Sequence, residues 1–196
     1  MDLTMADECG TRPAMIVRAH SRTDADRIAE ILAAGWKYAY GGFLPDGVLA
    51  THTDPGYRQA EIAQWLDGEF DPMNEAIFVA EDGGAVSGFI HIELGDRDEL
   101  GATGVVNLIY VDPEMLGRGL GRALMAAGAR WLMERRPGPL ALSAFEQNSS
   151  RSFYNRLGGI EAKRIHRELW GSSIETVLYL WPQPDILFAD LVQHMD

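Results

Sequence analysis

The stretch Val105–Leu124, VVNLIYVDPEMLGRGLGRAL, constrains the chain more than any other. Its apolar, β-branched start predicts a buried strand. Asp112-Pro113 ends that strand, because proline cannot donate to a ladder and restricts the residue before it. Gly117, Gly119 and Gly121 follow at alternate positions, and an amphipathic helix then runs to Glu134 with Leu120, Leu124, Ala127 and Trp131 on one stripe. The unit is strand, glycine-rich turn, helix. The first N–H groups of such a helix lack intrahelical partners and lie at the positive end of its dipole. Glycines let a large anion approach the main chain, and Arg118 and Arg122 add positive charge nearby. A pyrophosphate suits this geometry; the plain alternative is a tight turn with no ligand.

The turn fails the usual nucleotide fingerprints. Counted from Gly117, the sixth position of a G-x-G-x-x-G pattern is Arg122, and no Gly-Lys-Ser/Thr follows. It resembles instead the coenzyme A loop of the GNAT N-acetyltransferase superfamily, Q/R-x-x-G-x-G/A after a strand ending V-x-P. Val111-Asp112-Pro113 matches the strand end, Gly119 and Gly121 match the two glycines, and Leu116 stands where that family usually has Gln or Arg. Downstream, Asn148–Gly159 resembles the same family's segment from an asparagine to a Phe-Tyr pair, with Gly159-Ile160 replacing its Gly-Phe. Locally this reads as a short helix capped by Ser149 or Ser150 and ended by Gly158, with Phe153 and Leu157 facing the core. The resemblance runs from about Val17 to Trp181 and fits bacterial members that act on small molecules. It implies a mixed α/β domain with a mostly antiparallel central sheet, splayed at the coenzyme site and flanked by helices.

Length and composition agree with one globular domain: 196 residues, 46% hydrophobic and 23% charged. Three segments are expected: an N-terminal arm over 1–14, the main domain over 15–182, and a helical extension over 183–196. Seventeen Lys+Arg against 29 Asp+Glu give a net charge of −12, which repels phosphate backbones and argues against nucleic acid as a partner. No apolar run approaches the roughly 18 residues of a membrane helix, and the N-terminus shows no signal-peptide pattern. The single cysteine, Cys9, fits a reducing compartment, so a cytoplasmic location is expected.

Along the chain, Met15–Arg18 reads as a first strand, and Thr23 caps a helix that turns Ile28, Ile31 and Leu32 inward. Trp36 to Asp46 is similar to the W-x-x-x-Y-x-G-x-L-P-D stretch of many small-molecule members, where the segment between the first two helices walls the acceptor site. By that resemblance Trp36, Tyr40 and Phe43 bind substrate; as plain residues, Trp36 and Tyr40 also suit core packing. Tyr57–Phe70 has helical spacing. Ala76–Ala80 and Ala85–Glu93 read as a hairpin across Asp82-Gly83-Gly84, and Gly95–Gly104 as a loop. Further strands are expected at Leu140–Phe145, Ile160–Arg167 and Glu175–Trp181. Leu187, Phe188, Leu191, Val192 and Met195 form a stripe that docks on its own domain or on a second subunit as a homodimer.

The resemblance also implies chemistry: acetyl-CoA gives its acetyl group to a primary amine by direct attack on the thioester. Carried over, the main chain of Ile109, Tyr110 and Val111 pairs with the pantetheine arm. The turn Leu116, Gly117, Arg118, Gly119, Leu120, Gly121 and Arg122 holds the pyrophosphate. Asn148 contacts the cofactor, Arg151 reaches a phosphate or faces solvent, and Tyr154 donates to the departing thiolate or is simply a core aromatic. The central strand offers no carboxylate. His91 and Glu93 share a face of the preceding strand and are the candidate bases, although both could face solvent, and Glu146 is a further candidate. Five scattered histidines do not give a metal-ligand spacing, so no metal is expected. The acceptor reads as a small-molecule amine. The alternatives are a protein or peptide amine, or an acyl-CoA sensor without turnover, which the departure at Leu116 motivates.

Overall fold

Alternation along the strands sets the layers. In the computed structural model, which describes residues 15–97 and 100–192, β2 (Glu75–Asp82) turns Ile77 and Val79 to one face and Ala76, Phe78 and Ala80 to the other. β3 (Ala85–Arg97) does the same with Phe89 against Ile90 and Ile92. The chain therefore carries two apolar layers, one on each side of a sheet covered on both faces. α1 (Ala25–Tyr40) and α3 (Pro55–Gly68) cover the first face through Ile28, Ile31, Leu32 and Ile62. α4 (Leu120–Arg135) covers the second through Leu120, Leu124, Met125 and Leu132.

The sheet has seven strands in the order β1-β2-β3-β4-β5-β7-β6, with β1 at Ile16–Ala19, β4 at Ala102–Val111, β5 at Leu140–Phe145, β6 at Ile160–Leu169 and β7 at Ser172–Trp181. Every pairing is antiparallel except β4 with β5, whose parallel register runs from Gly104↔Leu140 to Val106↔Leu142. Beyond that point β4 and β5 diverge. On its other side β4 carries a bulge: His91 pairs with Leu108 and Ile92 with Val106, which leaves Asn107 without a partner on β3. The mixed, mostly antiparallel and splayed sheet is the expected architecture.

Several local expectations shift. The turn before α1 is closed by Ser21 and Asp24, which form a reciprocal capping box, while Thr23 bonds only the Ser21 hydroxyl at 2.7 Å. Part of Gly95–Gly104 is not loop, because β3 continues to Arg97 and β4 begins at Ala102. β6 and β7 likewise extend to a two-residue turn, Trp170-Gly171, with both residues at positive φ. On α4, Ala127 is only half-buried while Met125, Ala126, Gly128, Ala129 and Leu132 join the buried face, so the covered stripe is broader than the one expected. α2 (Asp46–His52) follows the Gly41-Gly42 turn, and α5 (Arg151–Arg156) precedes Gly158 at φ 78°. α6 (Ile186–Val192) buries Leu187 in the α4-side core and sets Phe188 under Arg130, the guanidinium 5.6 Å from the ring centre. The expected arm over 1–14 and Met195 lie outside the described residues, as do the side chains of Leu191 and Val192. No described helix is long and apolar enough to cross a membrane.

One ion-pair cluster fixes where α1 starts. Arg18 on β1 donates to Asp24 at 2.7 and 2.9 Å and to Glu81 on β2 at 2.7 Å. The bonds from Arg18 hold the largely buried Asp24 carboxyl down at about 2. A depressed carboxyl stabilises the fold fully above its unfolded value near 3.8 and loses that contribution as pH falls through about 2. Asp24→Asn should therefore cost about 2 kcal/mol at pH 7 in denaturant unfolding, and this difference should shrink steadily below pH 4.

Candidate active site

The divergence of β4 from β5 opens a cavity of about 430 Å³. Its walls come from five places: the end of α1, β4 from Val106 onward, β5 at Leu142 and Ser143, the glycine turn with the start of α4, and the α5 segment. The 3₁₀ turn Pro113–Met115 carries the chain from β4 to the glycines, and the Asp112 side chain caps it by accepting from Glu114 N at 3.1 Å. Gly117 and Gly119 take φ of 78° and 87°, a region only glycine adopts freely, and a Cβ on either would meet open space. The turn is thus a cradle held open toward the cavity, and it sits on the N-terminus of a 16-residue helix.

Ile109, Tyr110, Val111, Leu116, Gly117, Gly119, Leu120, Gly121, Arg122, Asn148 and Tyr154 all line this cavity. Two expected cofactor contacts are placed elsewhere. Arg118 is paired with Asp82 at 3.2 Å and is not among the lining residues. Arg151, at the start of α5, is not among the lining residues: it is ion-paired with Glu146 at 2.6 Å and donates to Glu161 at 2.7 Å and to the Tyr179 hydroxyl at 3.0 Å. Glu146, a candidate base, is committed to that same network and to Arg164 at 2.9 Å. In place of Arg151 the cavity receives Arg156 and the serines Ser149, Ser150 and Ser152. The Ser150 hydroxyl does not cap α5. Asn148 Oδ1 accepts from Ser150 N at 2.8 Å and so shapes the turn.

Three phenols gather where the strands part. Tyr40 at the end of α1 and Tyr110 on β4 bring their hydroxyls to 3.3 Å, and Tyr154 from α5 is nearby and buried. Burial raises all three phenols above the ordinary tyrosine value, Tyr110 and Tyr154 most, so they stay protonated through the neutral range. Gly35 makes room for this arrangement, since a Cβ there would collide with the Tyr110 ring.

A second cavity, about 610 Å³, lies between α1, α3 and the sheet. It shares Asn107 and Tyr110 with the first, so the bulged strand is a wall common to both. His91 lines it, and Glu93 does not. His91 Nε2 lies 2.9 Å from Glu75, and ligand atoms of Glu75, His91 and Glu93 fall within 4.8 Å of one another. Glu75, a third member that the sequence reading missed, joins by the β2–β3 register Glu75↔Glu93. Burial pushes the His91 imidazole down to about 4 and the Glu75 carboxyl up. At neutral pH the ring is uncharged.

A cluster of aromatic rings adjoins the two cavities, with Tyr40 lining the first and Trp36 the second, while Phe43 lines neither. Trp36 lies 5.0 Å from Tyr40 and 4.2 Å from His52, and Tyr40 lies 5.9 Å from Phe43 and 5.4 Å from Phe145. Trp170, at the tip of the β6–β7 hairpin, reaches across to Trp36, its ring centre 5.9 Å away, and holds φ 51° to do so. Trp36, Tyr40 and Phe43 are therefore one continuous surface, with Phe145, Trp170 and His52 added from distant parts of the chain. Gly35→Ala should break the Tyr40–Tyr110 contact, visible as a loss of near-UV circular dichroism while the far-UV spectrum is kept.

Comparison with known proteins agrees with this geometry. Residues 73–158 match the acetyltransferase (GNAT) domain model. The uncharacterized N-acetyltransferase YuaI of Bacillus subtilis is 27% identical over 167 residues, 85% of this chain and 92% of YuaI. Mycothiol acetyltransferase of Rhodococcus erythropolis is 37% identical over 110 residues, 53% of this chain, and the match spans only 36% of that relative's length. Among solved structures, a GCN5-related N-acetyltransferase of Rhodopseudomonas palustris superposes with a TM-score of 0.67 at 18% identity, covering 87% of this chain and 97% of its own. YncA of Salmonella typhimurium, solved with acetyl-CoA, gives 0.61 at 20% identity, covering 86% and 94%. The strand–turn–helix unit and the parting of β4 from β5 lie within the segment that matches the acetyltransferase (GNAT) domain, residues 73–158, and the fold as a whole is that of the solved GNAT structures.

Proposed function

We propose that this chain transfers an acetyl group from acetyl-CoA to a primary amine of a small molecule, by direct attack of the amine on the thioester. One observation carries the reading: a single cavity runs from the glycine cradle on the α4 N-terminus to the opened edge of β4 beside Tyr154. Coenzyme-bound neighbours of the same fold support it, YncA with acetyl-CoA and the PaiA N-acetyltransferase of Thermoplasma acidophilum with coenzyme A. The residues present fit the group: backbone N–H donors of Gly117–Gly121 for the pyrophosphate, Arg122 and Arg156 beside them, and the β4 edge at Ile109–Val111 for an extended arm. Leu116 is 45% exposed on the cavity wall and offers only apolar contact there, so the main chain carries the phosphate contacts at that point. When bound, acetyl-CoA supplies an acyl group activated by a thiolate leaving group.

Tyr154 meets that leaving group as a hydrogen-bond donor. Even an ordinary phenol, near pKa 10, is about 2 kcal/mol too weak an acid to protonate a thiolate near 8.5 fully. Burial raises Tyr154 further, which favours donation over transfer. Main-chain N–H groups of β4 past the bulge stabilise developing charge on the carbonyl oxygen. The acceptor occupies the second cavity, bounded by Trp36 and by the wall that the two cavities share. There neutral His91 takes the amine proton as the C–N bond forms, with Glu75 orienting the ring and stabilising its protonated form. A ring at about 4 does not deprotonate a resting ammonium ion, so the amine enters as its free base. The cluster of rings drawn together from α1, β5 and the β6–β7 hairpin beside the second cavity supports a small acceptor over a protein segment.

Calorimetry with acetyl-CoA tests the reading: binding is expected in the micromolar range and should be lost in Gly119→Glu. Failure of the folded wild-type chain to bind would sink the proposal. In a thiol-release assay over a panel of amines, Tyr154→Phe should lower kcat by roughly 10- to 100-fold and change the acetyl-CoA Kd little. With pH, kcat/KM should rise along the titration of the acceptor amine itself. His91→Gln should lower that curve by about 100-fold between pH 6 and 9 without moving its midpoint. An added limb near pH 6.5 that vanishes with His91 would contradict the neutral-ring assignment.

A further inference from the structure

Arg58 is the uncommon residue of the second cavity. An arginine is seldom fully buried, yet Arg58 is only 4% exposed and lines the cavity wall from the first turn of α3. Its guanidinium stacks on Trp36, 4.6 Å from the ring centre, with the Tyr57 ring 5.9 Å away. Nε donates to the His52 carbonyl at 2.8 Å, and Nη1 is paired with Glu61. Nη2 is buried and has no hydrogen-bond partner. Beside it, His52 Nδ1 is buried and unpartnered as well. Native proteins rarely leave such buried polar groups unmatched, and a charged donor such as Nη2 is the most costly to leave so.

The cavity contents narrow what would match it. Arg58 is the one cation among the described residues lining this cavity; Glu61 and Glu69 are its acids, and His91 is neutral. The walls thus offer an arginine donor on an aromatic face and, among the described residues, no second cation to compete with it for an anionic group. We propose that the acceptor carries a carboxylate beside its amine, an amino-acid-type substrate whose carboxylate takes the free Nη2 of Arg58. This assignment rests on the reading that the second cavity receives the acceptor. It would set specificity: Arg58, held in plane by Trp36, selects the acid end while the amine faces the bulged strand at Asn107 and Tyr110.

The test compares matched acceptors. With acetyl-CoA saturating, kcat/KM is measured by thiol release for each α- or ω-amino acid of a panel, for its amide and for its decarboxylated amine. Acids should be preferred over their uncharged counterparts by about 10- to 100-fold, the range of one charge-assisted hydrogen bond. Arg58→Gln should bring that ratio below about threefold, and Arg58→Lys should restore part of it. Because Arg58 is packed, an acid-versus-amide comparison of melting temperatures on the wild-type protein stands beside the variants and needs no substitution. Acids that are turned over no faster than amides and raise the melting temperature no more overturn the proposal, and so does a preference that survives Arg58→Gln. Loss of acetyl-CoA binding would instead strike the reading of the first cavity, and the melting-temperature comparison still decides the Arg58 site.

Discussion

The parting of β4 from β5 is the constraint on which the other features depend. The two strands pair in parallel only from Gly104↔Leu140 to Val106↔Leu142, and the bulge at Asn107 then turns β4 aside. A sheet opened in this way needs support from both faces, or the gap would close by sliding the strands back into register. α4 supplies it from one side, where Gly104 and Gly128 let Leu132 and Ile90 approach closely. α1 supplies it from the other, with Gly35 fitted against Tyr110. The wedge is therefore built into the core and does not wait for a ligand to create it. Both cavities, the cradle and the phenol cluster are arranged around this one opening.

Legibility in the sequence follows locality. The strand, turn and helix over 105–124 are written in consecutive residues, so periodicity, a proline and three glycines sufficed to place them and to suggest an anion cradle. The same holds for Gly158, whose place after a short helix demands positive φ. What escaped is long-range. Nothing near Glu75 in the chain says that it will bond His91; the β2–β3 register brings them together. Nothing near Trp170 in the chain marks it as a partner of Trp36, and only the length of the β6–β7 hairpin carries it there. Arg151 and Arg156 sit on the same six-residue helix, and composition cannot say which of two arginines faces the cavity. Their neighbours decide: Glu146 and Glu161 hold Arg151 away.

Charge is distributed against the average of the chain. A net charge of −12 favours an acidic surface, yet cationic side chains are placed where the cavities need them: Arg122 and Arg156 in the first, Arg58 in the second. Many of the remaining arginines described are tied to carboxylates, as Arg18, Arg27, Arg118, Arg151 and Arg164 show. The paired ones hold elements together at modest energetic gain, because most are partly exposed. Positive charge lining the first cavity, on a chain that is acidic on average, would draw an anionic cosubstrate to that opening and away from the bulk surface.

The opened strands also have a consequence for how the protein behaves when idle. The stretch of β4 past Val106 is a sheet edge that lies inside the domain, with the backbone groups facing β5 unpaired by strand. Edges of this kind accept any extended chain that reaches them, which is why folded proteins usually cover or charge them. On the proposed function, an extended ligand would act as the missing strand, and its concentration would set apparent stability by mass action, about 2.7 kcal/mol at a hundredfold excess over Kd. A cell that holds the ligand well above Kd would keep the notch filled. The same protein, stripped of ligand during purification, would present an open strand site to every unfolded chain in the tube.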